Sequence, residues 1–265
     1  MAILLSGDFH NGVRGEIDII EKERLLYKYE EFYEKIEYHI ILGDVGFLWP
    51  KQESLDKYNF KILSKRKFPI LCVMGNHEPI YGRNDMPEED IGIGEKVIVI
   101  KHKNPFVAYL KRGKIYKIGG YKILVLGGAL SVDKDRRIEG KNWWKEEYWS
   151  DKEKKDIFRL LKKENKFDFV FSHTGPNEIN WFLMARGVPG RHGKENDEVG
   201  KLNDEIDKRI KFRAWFSGHW HYDLLDDDGF MEKDESKKYY YLYNYSALIN
   251  ENKLIIEKEC EEQEI

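Results

Sequence analysis

Five short polar clusters follow apolar runs along the chain: Asp8-Phe9-His10, Gly43-Asp44, Gly75-Asn76-His77, Ser172-His173 and Gly218-His219-Trp220-His221. In open α/β sheets, loops at the carboxyl ends of strands line the functional crevice. Such loops would bring these Asp, Asn and His side chains to one place. Imidazole and carboxylate without thiolate suit zinc, manganese or iron better than a structural Cys-type zinc site. The candidate ligands are Asp8, His10, Asp44, Asn76, His173, His219 and His221. They exceed the needs of one tetrahedral ion and match two metals that share a bridging carboxylate. One residue separates Asp8 from His10 and His219 from His221. In an extended segment each pair would point to the same side and grip one ion or two neighbouring ions. Gly7, Gly43, Gly75 and Gly218 precede key polar residues. A glycine there would let the chain turn sharply and approach an ion or phosphate closely.

The elements that must position these clusters can be read from the apolar pattern. Residues 2–6, 38–42 and 70–74 read as strands, and residues 16–37 and 54–65 as amphipathic helices between them. This βαβαβ order argues for a parallel sheet covered by helices. Residues 96–100, 106–110, 114–118 and 121–126 read as short strands in quick succession, with hairpin turns at Gly113 and at Gly119-Gly120. Helices are expected over 151–166 and 197–211, and strands over 167–171, 214–217, 239–245 and 254–257. Two sheets flanked by helices fit this order, one mixed and one largely antiparallel.

Composition narrows the function. The 265 residues suit one large domain, or at most two small ones, and we expect a single domain over 1–258 followed by an acidic tail, 259–265. Hydrophobic residues make up 41%, with 7 Trp, 16 Tyr and 14 Phe, so core material is ample and disorder is not expected. No apolar run approaches the ~20 residues of a membrane helix, and the start lacks the pattern of a signal peptide. The two cysteines, Cys72 and Cys260, fit a reducing compartment, and we expect a cytoplasmic protein without membrane partners. A net charge of −3 offers no electrostatic case for a dedicated nucleic-acid binder; nucleic acid enters only as a substrate.

The blocks D-x-H, G-D, G-N-H-[DE], a lone H and G-H-x-H, in this order from Asp8 to His221, resemble the calcineurin-like metallophosphoesterases. The resemblance implies a four-layer αββα sandwich of two mixed β-sheets flanked by helices, with a di-metal site. It implies that Asp8, His10 and His221 hold the first metal, that Asp44 bridges, and that Asn76, His173 and His219 hold the second. His77 would reach the scissile phosphate. Manganese is the expected ion, with iron, zinc, cobalt or nickel as alternatives. The second block reads Gly43-Asp44-Val45-Gly46-Phe47-Leu48-Trp49-Pro50, without the second Asp and the Arg that the Ser/Thr protein phosphatases carry in G-D-x-x-D-R-G. This departure argues against that branch. The Gly127-to-Lys134 stretch with the arginines and tryptophans beyond it looks like small bacterial and phage members.

The function expected from this reading is hydrolysis of phosphodiesters or small phosphate esters through a metal-activated bridging hydroxide. His77, protonated or nearly so because Asp44 raises its pKa, would assist the transition state or the leaving oxygen. Alternatives on the same core are a protein or nucleotide phosphomonoesterase, a nuclease or repair phosphodiesterase, and a non-catalytic metal-binding scaffold. No protein partner can be inferred. Arg136 and Arg137 could clamp an anion, or form a charged surface turn. His192 lies in a Gly-rich loop that could face substrate, or serve as a solvated connection. Glu78 follows the third block and could support a ligand. His39 is expected to pack at a strand edge. Trp143, Trp144, Tyr148 and Trp149 read as core or interface rather than a base-stacking platform.

Overall fold

Side-chain alternation along the first strand already implies a layered molecule. β1 (Ala2–Ser6) is buried throughout, with Ile3 and Leu5 in one apolar cluster and Ala2 and Leu4 in another. Successive side chains point to opposite faces of a strand, so β1 has apolar material on both sides. The computed structural model describes residues 1–10, 34–63, 66–102, 106–185, 197–225, 237–250 and 253–258.

One sheet has eight strands. They are β1, β2 (Ile36–Ile41), β3 (Ile70–Cys72), β4 (Glu88–Glu89), β5 (Val97–Lys101), β6 (Val107–Tyr109), β12 (Tyr245–Asn250) and β13 (Lys253–Lys258), in the order β13-β12-β1-β2-β3-β6-β5-β4. β1, β2, β3 and β6 run parallel to one another. The other sheet comprises β7 (Lys114–Ile118), β8 (Tyr121–Val125), β9 (Phe169–Phe171), β10 (Ala214–Ser217) and β11 (Lys238–Tyr241), in the order β11-β10-β9-β8-β7. Only its β7–β8 pair is antiparallel, so this sheet is mostly parallel and not largely antiparallel as expected. The reason is that the parallel strands are joined through long crossovers rather than tight turns.

The sheets pack face to face through Ile3, Leu5, Ile40, Tyr116, Phe171 and Phe216. On the outer face of the eight-stranded sheet, Leu63 and Phe60 of α1 (Glu53–Leu63) meet Ile41, Ile70 and Cys72. On the outer face of the other, Ile157 and Leu161 of α2 (Asp151–Leu161) and Leu202 and Ile206 of α4 (Glu198–Asp207) cover Leu124, Val170 and Trp215. The layers are helix, sheet, sheet, helix. Ser150 starts α2 with a reciprocal capping box to Glu153, and Asp197 starts α4 by accepting from Val199 N and Gly200 N. Among the described residues no helix is long and apolar enough to cross a membrane.

Several expectations shift. Residues 36–37 open β2 instead of closing the helix expected over 16–37, and residues 16–33 of that region lie outside the described residues. Gly119 and Gly120, with φ of 57° and 83°, do form a two-residue hairpin between β7 and β8. Gly113 does not: the chain passes there from β6 in one sheet to β7 in the other. The run expected as one strand over 239–245 is split between β11 and β12, which belong to different sheets. Helix α3 (Asn177–Ala185) has no counterpart in the sequence pattern. His39 is not at an edge. It is buried in β2 between β1 and β3, where it donates Nε2–H to Ser6 Oγ at 2.9 Å and accepts from Arg66 Nη1 at 2.7 Å.

Phe216 is fully buried between the sheets, stacked on Tyr240 with centroids 5.0 Å apart. Phe216→Ala should lower the unfolding free energy by about 3–5 kcal/mol in urea denaturation. A loss below about 1 kcal/mol would mean that the two sheets do not share this core.

Candidate metal centre

The five clusters leave their strands at the carboxyl ends, where adjacent strands run in parallel. Asp8 follows β1, Asp44 follows β2, and Asn76 and His77 follow β3; His173 follows β9 and His219 follows β10. The loops are then stitched together by backbone donors. His10 N donates to the Asp44 carbonyl at 2.8 Å, and Gly218 N to the His173 carbonyl at 2.8 Å. Two carboxylates accept from amides of other loops: Asp44 Oδ1 from His77 N at 2.8 Å, and Asp8 Oδ1 from His219 N at 2.7 Å.

The backbone reaches these positions by turning, not by extension. His10, Asp44, His219 and His221 have φ of 42°, 49°, 74° and 50°. These left-handed values replace the extended geometry expected for Asp8-x-His10 and His219-x-His221. Each costs a non-glycine residue of order 1–3 kcal/mol and persists only where the surroundings dictate it. Gly43 turns the chain as expected, with φ of 101°, and two of the other glycines make room for ligand side chains. A Cβ on Gly75 would overlap the Asp44 carboxylate, and one on Gly218 would overlap Asp8 Oδ1. Glycine is required there so that backbone can approach a ligand side chain closely.

Two sets of ligand atoms result. In the first, His10 Nε2 lies 2.9 Å from His221 Nε2, and Asp8 Oδ2 lies 3.1 Å from His221 Nε2 and 3.7 Å from His10 Nε2. Atoms bound at 2.0–2.2 Å to one ion sit roughly 3–3.5 Å apart, so these spacings fit a shared cation. The second set gathers around His173. Its Nε2 is 3.4 Å from Asp44 Oδ1 and 2.9 Å from Asn76 Oδ1. Asp44 faces both sets, since its Oδ2 is 3.9 Å from His10 Nε2. Asp8, Asp44 and His173 also gather closely enough to share an ion. His219 stands beside this set, its ring 4.9 Å from that of His173.

The hydrogen bonds around Asn76 test whether a cation fits. Ser131 gives its one hydroxyl hydrogen to Glu147 Oε2 at 2.6 Å, so it accepts from Asn76 Nδ2 at 3.0 Å. That fixes the amide and turns Oδ1 toward His173. The His173 Nδ1–H donates to the Leu42 carbonyl at 2.7 Å. A neutral His173 therefore points the Nε2 lone pair at two oxygens. Three acceptors converge with no hydrogen between them, and either a proton on Nε2 or a metal ion relieves the repulsion. Divalent metal therefore suits the residues present.

Electrostatics agree. Burial opposes the charge on Asp8, yet His173, His10 and His221 hold its carboxyl well below the usual carboxylate range. Burial likewise opposes the Asp44 charge, and His173, His77 and His10 overcome it. Burial would lower His173, but Asp44 and Asp8 carry it up to about 9. Burial, then the neighbouring His173, pushes His219 down to about 3, which leaves its lone pair available. His77 departs from expectation. Asp44, 4.0 Å away, does raise its pKa, but burial and Arg137 outweigh it and the net shift is downward. His77 is thus more readily neutral than a free histidine.

Of the other candidates, Arg137 reaches the centre and Arg136 does not. Arg137 is bidentate on Asp133 at 2.6 and 2.7 Å, donates to the Asn142 carbonyl at 2.9 Å and lies 3.4 Å from His77 Nε2. Arg136 is exposed, and His192 lies outside the described residues. Trp144 and Trp149 are buried as core, as the sequence suggested. Sequence reasoning missed Ser131 and Glu147. An acid kept inside the aromatic run 143–149 was the available signal. The Leu42 carbonyl has no side-chain signature at all.

Glu78 supports the Asp44 loop: it is fully buried and accepts from Val45 N at 2.9 Å and Tyr109 OH at 2.5 Å. Burial, then the Asp44 charge, pushes its carboxyl up to about 8. An unfolded Glu titrates near 4.3, so between these values the folded chain binds more protons than the unfolded one. The contribution to stability is full at low pH and is lost as pH rises through the folded value. Glu78→Gln should therefore gain on the wild type in urea denaturation of chelator-treated protein as pH rises from about 5 to about 8. A difference that stays flat with pH would show that Glu78 is ionised throughout.

The pattern of the calcineurin-like phosphoesterase family matches residues 1–223. Among solved structures, the calcineurin-like phosphoesterase YfkN from Bacillus subtilis is similar at 14% identity and a TM-score of 0.48, over 97% of this chain and 90% of that one. The 5′-nucleotidase precursor from Thermus thermophilus is similar at 15% identity and a TM-score of 0.43, over 98% of this chain and 54% of that one. The Haemophilus influenzae NAD nucleotidase is similar at 15% identity and a TM-score of 0.41, over 98% and 49%. The chain thus spans about half the length of these two nucleotidases. No curated protein matches the chain in sequence. The family match covers all five ligand clusters up to His221, and the chain belongs to the calcineurin-like phosphoesterase family.

Proposed function

We propose that the chain hydrolyses phosphodiesters or small phosphate esters with two divalent ions, manganese first among them. The observation that carries this reading is the convergence of acceptor atoms into two adjoining sets, with Asp44 facing both. Asp8, His10 and His221 would hold one ion, Asn76, His173 and His219 the other, and Asp44 would bridge. When bound, the ions supply Lewis acidity: they acidify water toward neutral pH and offset charge on the phosphoryl oxygens.

The chain's own residues supply the rest. His77 stands beside the ligand sets, 4.0 Å from Asp44 Oδ2, with its ring 5.8 Å from that of His10. It is placed to hydrogen-bond a phosphate oxygen or the leaving oxygen. Arg137 is largely committed to Asp133 and Asn142, so it serves this reading by orienting His77 rather than by clamping phosphate. Ser131 and Glu147 keep the Asn76 oxygen aimed inward.

Chelated protein should lose turnover of an aryl phosphodiester and regain it with added manganese. His77→Ala should keep both ions and lower kcat by about 10²–10⁴-fold. A His77→Ala protein that loses an ion would make His77 a ligand. A wild type that binds metal without turning over any phosphate ester would favour a binding scaffold.

A further inference from the structure

No hydrogen bond of Asn180 goes to a ligand side chain, yet the residue joins two of the ligand loops. It lies in α3 and is fully buried. Its Nδ2 donates to Thr174 Oγ1 at 3.2 Å, to the Gly175 carbonyl at 3.3 Å and to Asp197 Oδ2 at 3.4 Å. Its Oδ1 accepts from Trp220 Nε1 at 3.0 Å and from Tyr241 OH at 2.6 Å. The indole N–H can only donate, so the amide orientation is fixed and both oxygen lone pairs are filled.

The partners have telling positions. Thr174 and Gly175 directly follow His173, and Trp220 stands between His219 and His221. Those two histidines both have left-handed backbone, so the turn needs an anchor at its centre. Trp220 is that anchor: its ring is buried among Ile179, Leu183, Leu224 and Tyr241, and its indole N–H is held by Asn180. Asn180 thus accepts from one ligand loop while donating to the segment that follows the other. None of these bonds goes to the loops on the eight-stranded sheet, which carry Asp8, His10, Asp44 and Asn76.

We infer that Asn180 is a positioning residue that sets His173 and the His219–His221 turn in mutual register, and so governs the second metal position more than the first. The inference rests on the two-ion reading above. The second position draws His173 and His219 from these loops, whereas the first draws only His221. Removing partners that orient metal ligands typically costs 10–100-fold in metal affinity.

The test is calorimetric titration of chelator-treated protein with manganese, alongside thermal unfolding of the metal-free form. Asn180→Asp keeps the shape and replaces the donating NH2 by an acceptor. It should weaken the second ion by about 10–100-fold and the first by much less. Trp220→Phe removes the indole N–H and should act in the same direction by a smaller factor; it carries the test alone if Asn180→Asp does not fold. Variants that lower the metal-free Tm while both affinities stay at wild-type values would assign Asn180 a merely structural role and overturn the inference. Equal weakening of both ions would overturn its selectivity. A wild type that takes up fewer than two ions sinks the two-ion reading and this inference with it, whereas two ions bound with unchanged affinity in the wild type and in both variants sinks this inference alone.

Discussion

Two ionised carboxylates lie inside the protein, and the construction of the centre follows from that. Asp8 is 4% exposed and Asp44 1% exposed. A charge so buried is tolerated only with partners close at hand. Amides of distant loops supply them at 2.7 and 2.8 Å, and imidazoles gather around the remaining oxygens. Amides can come so close only if no side chain intervenes, which is why Gly75 and Gly218 stand beside the two acids. The same demand forces His10, Asp44, His219 and His221 into left-handed backbone.

The layers exist in a form that can meet this demand. Parallel neighbours place their carboxyl ends together, and each sheet has a parallel set: β1, β2 and β3 in one, β9 and β10 in the other. Behind the ligands lies another shell of buried acids, Glu78 and Glu147. Each accepts from a backbone amide and a hydroxyl, which ties a loop to the next layer. These groups contribute little hydrophobic stability and instead fix where the ligands point.

The order of the five clusters and the strands that precede them were legible in the sequence, because a buried strand leaves an apolar run and a functional loop leaves polar residues after it. β7 and β10 match their expected ranges to the residue. What was not legible depends on partners far away in sequence. Nothing local at Gly113 says that the chain changes sheets there rather than turning back. The apolar run 239–245 gives no sign of its division between sheets, and α3 lacks a clean amphipathic stripe because it is buried against polar groups as well as apolar ones. His39 reads as an ordinary strand residue until Ser6 and Arg66 are seen on either side of its ring. The left-handed histidines could not be foreseen, since spacing alone suggested extended chain.

The neighbour of β1 on one side is β12, so Ala2 pairs with Asn250 and Ser6 with Ser246. The strand that leads into Asp8 is therefore flanked by a strand far away in sequence, with 240 positions between Ser6 and Ser246. During synthesis at the ribosome, β1 emerges well before β12, so this pairing waits for β12. Pairings of such sequence separation close slowly. An unpaired strand edge meanwhile invites association with other chains. The strand behind Asp8 and His10 thus gains this partner only after residues 245–250 have been translated.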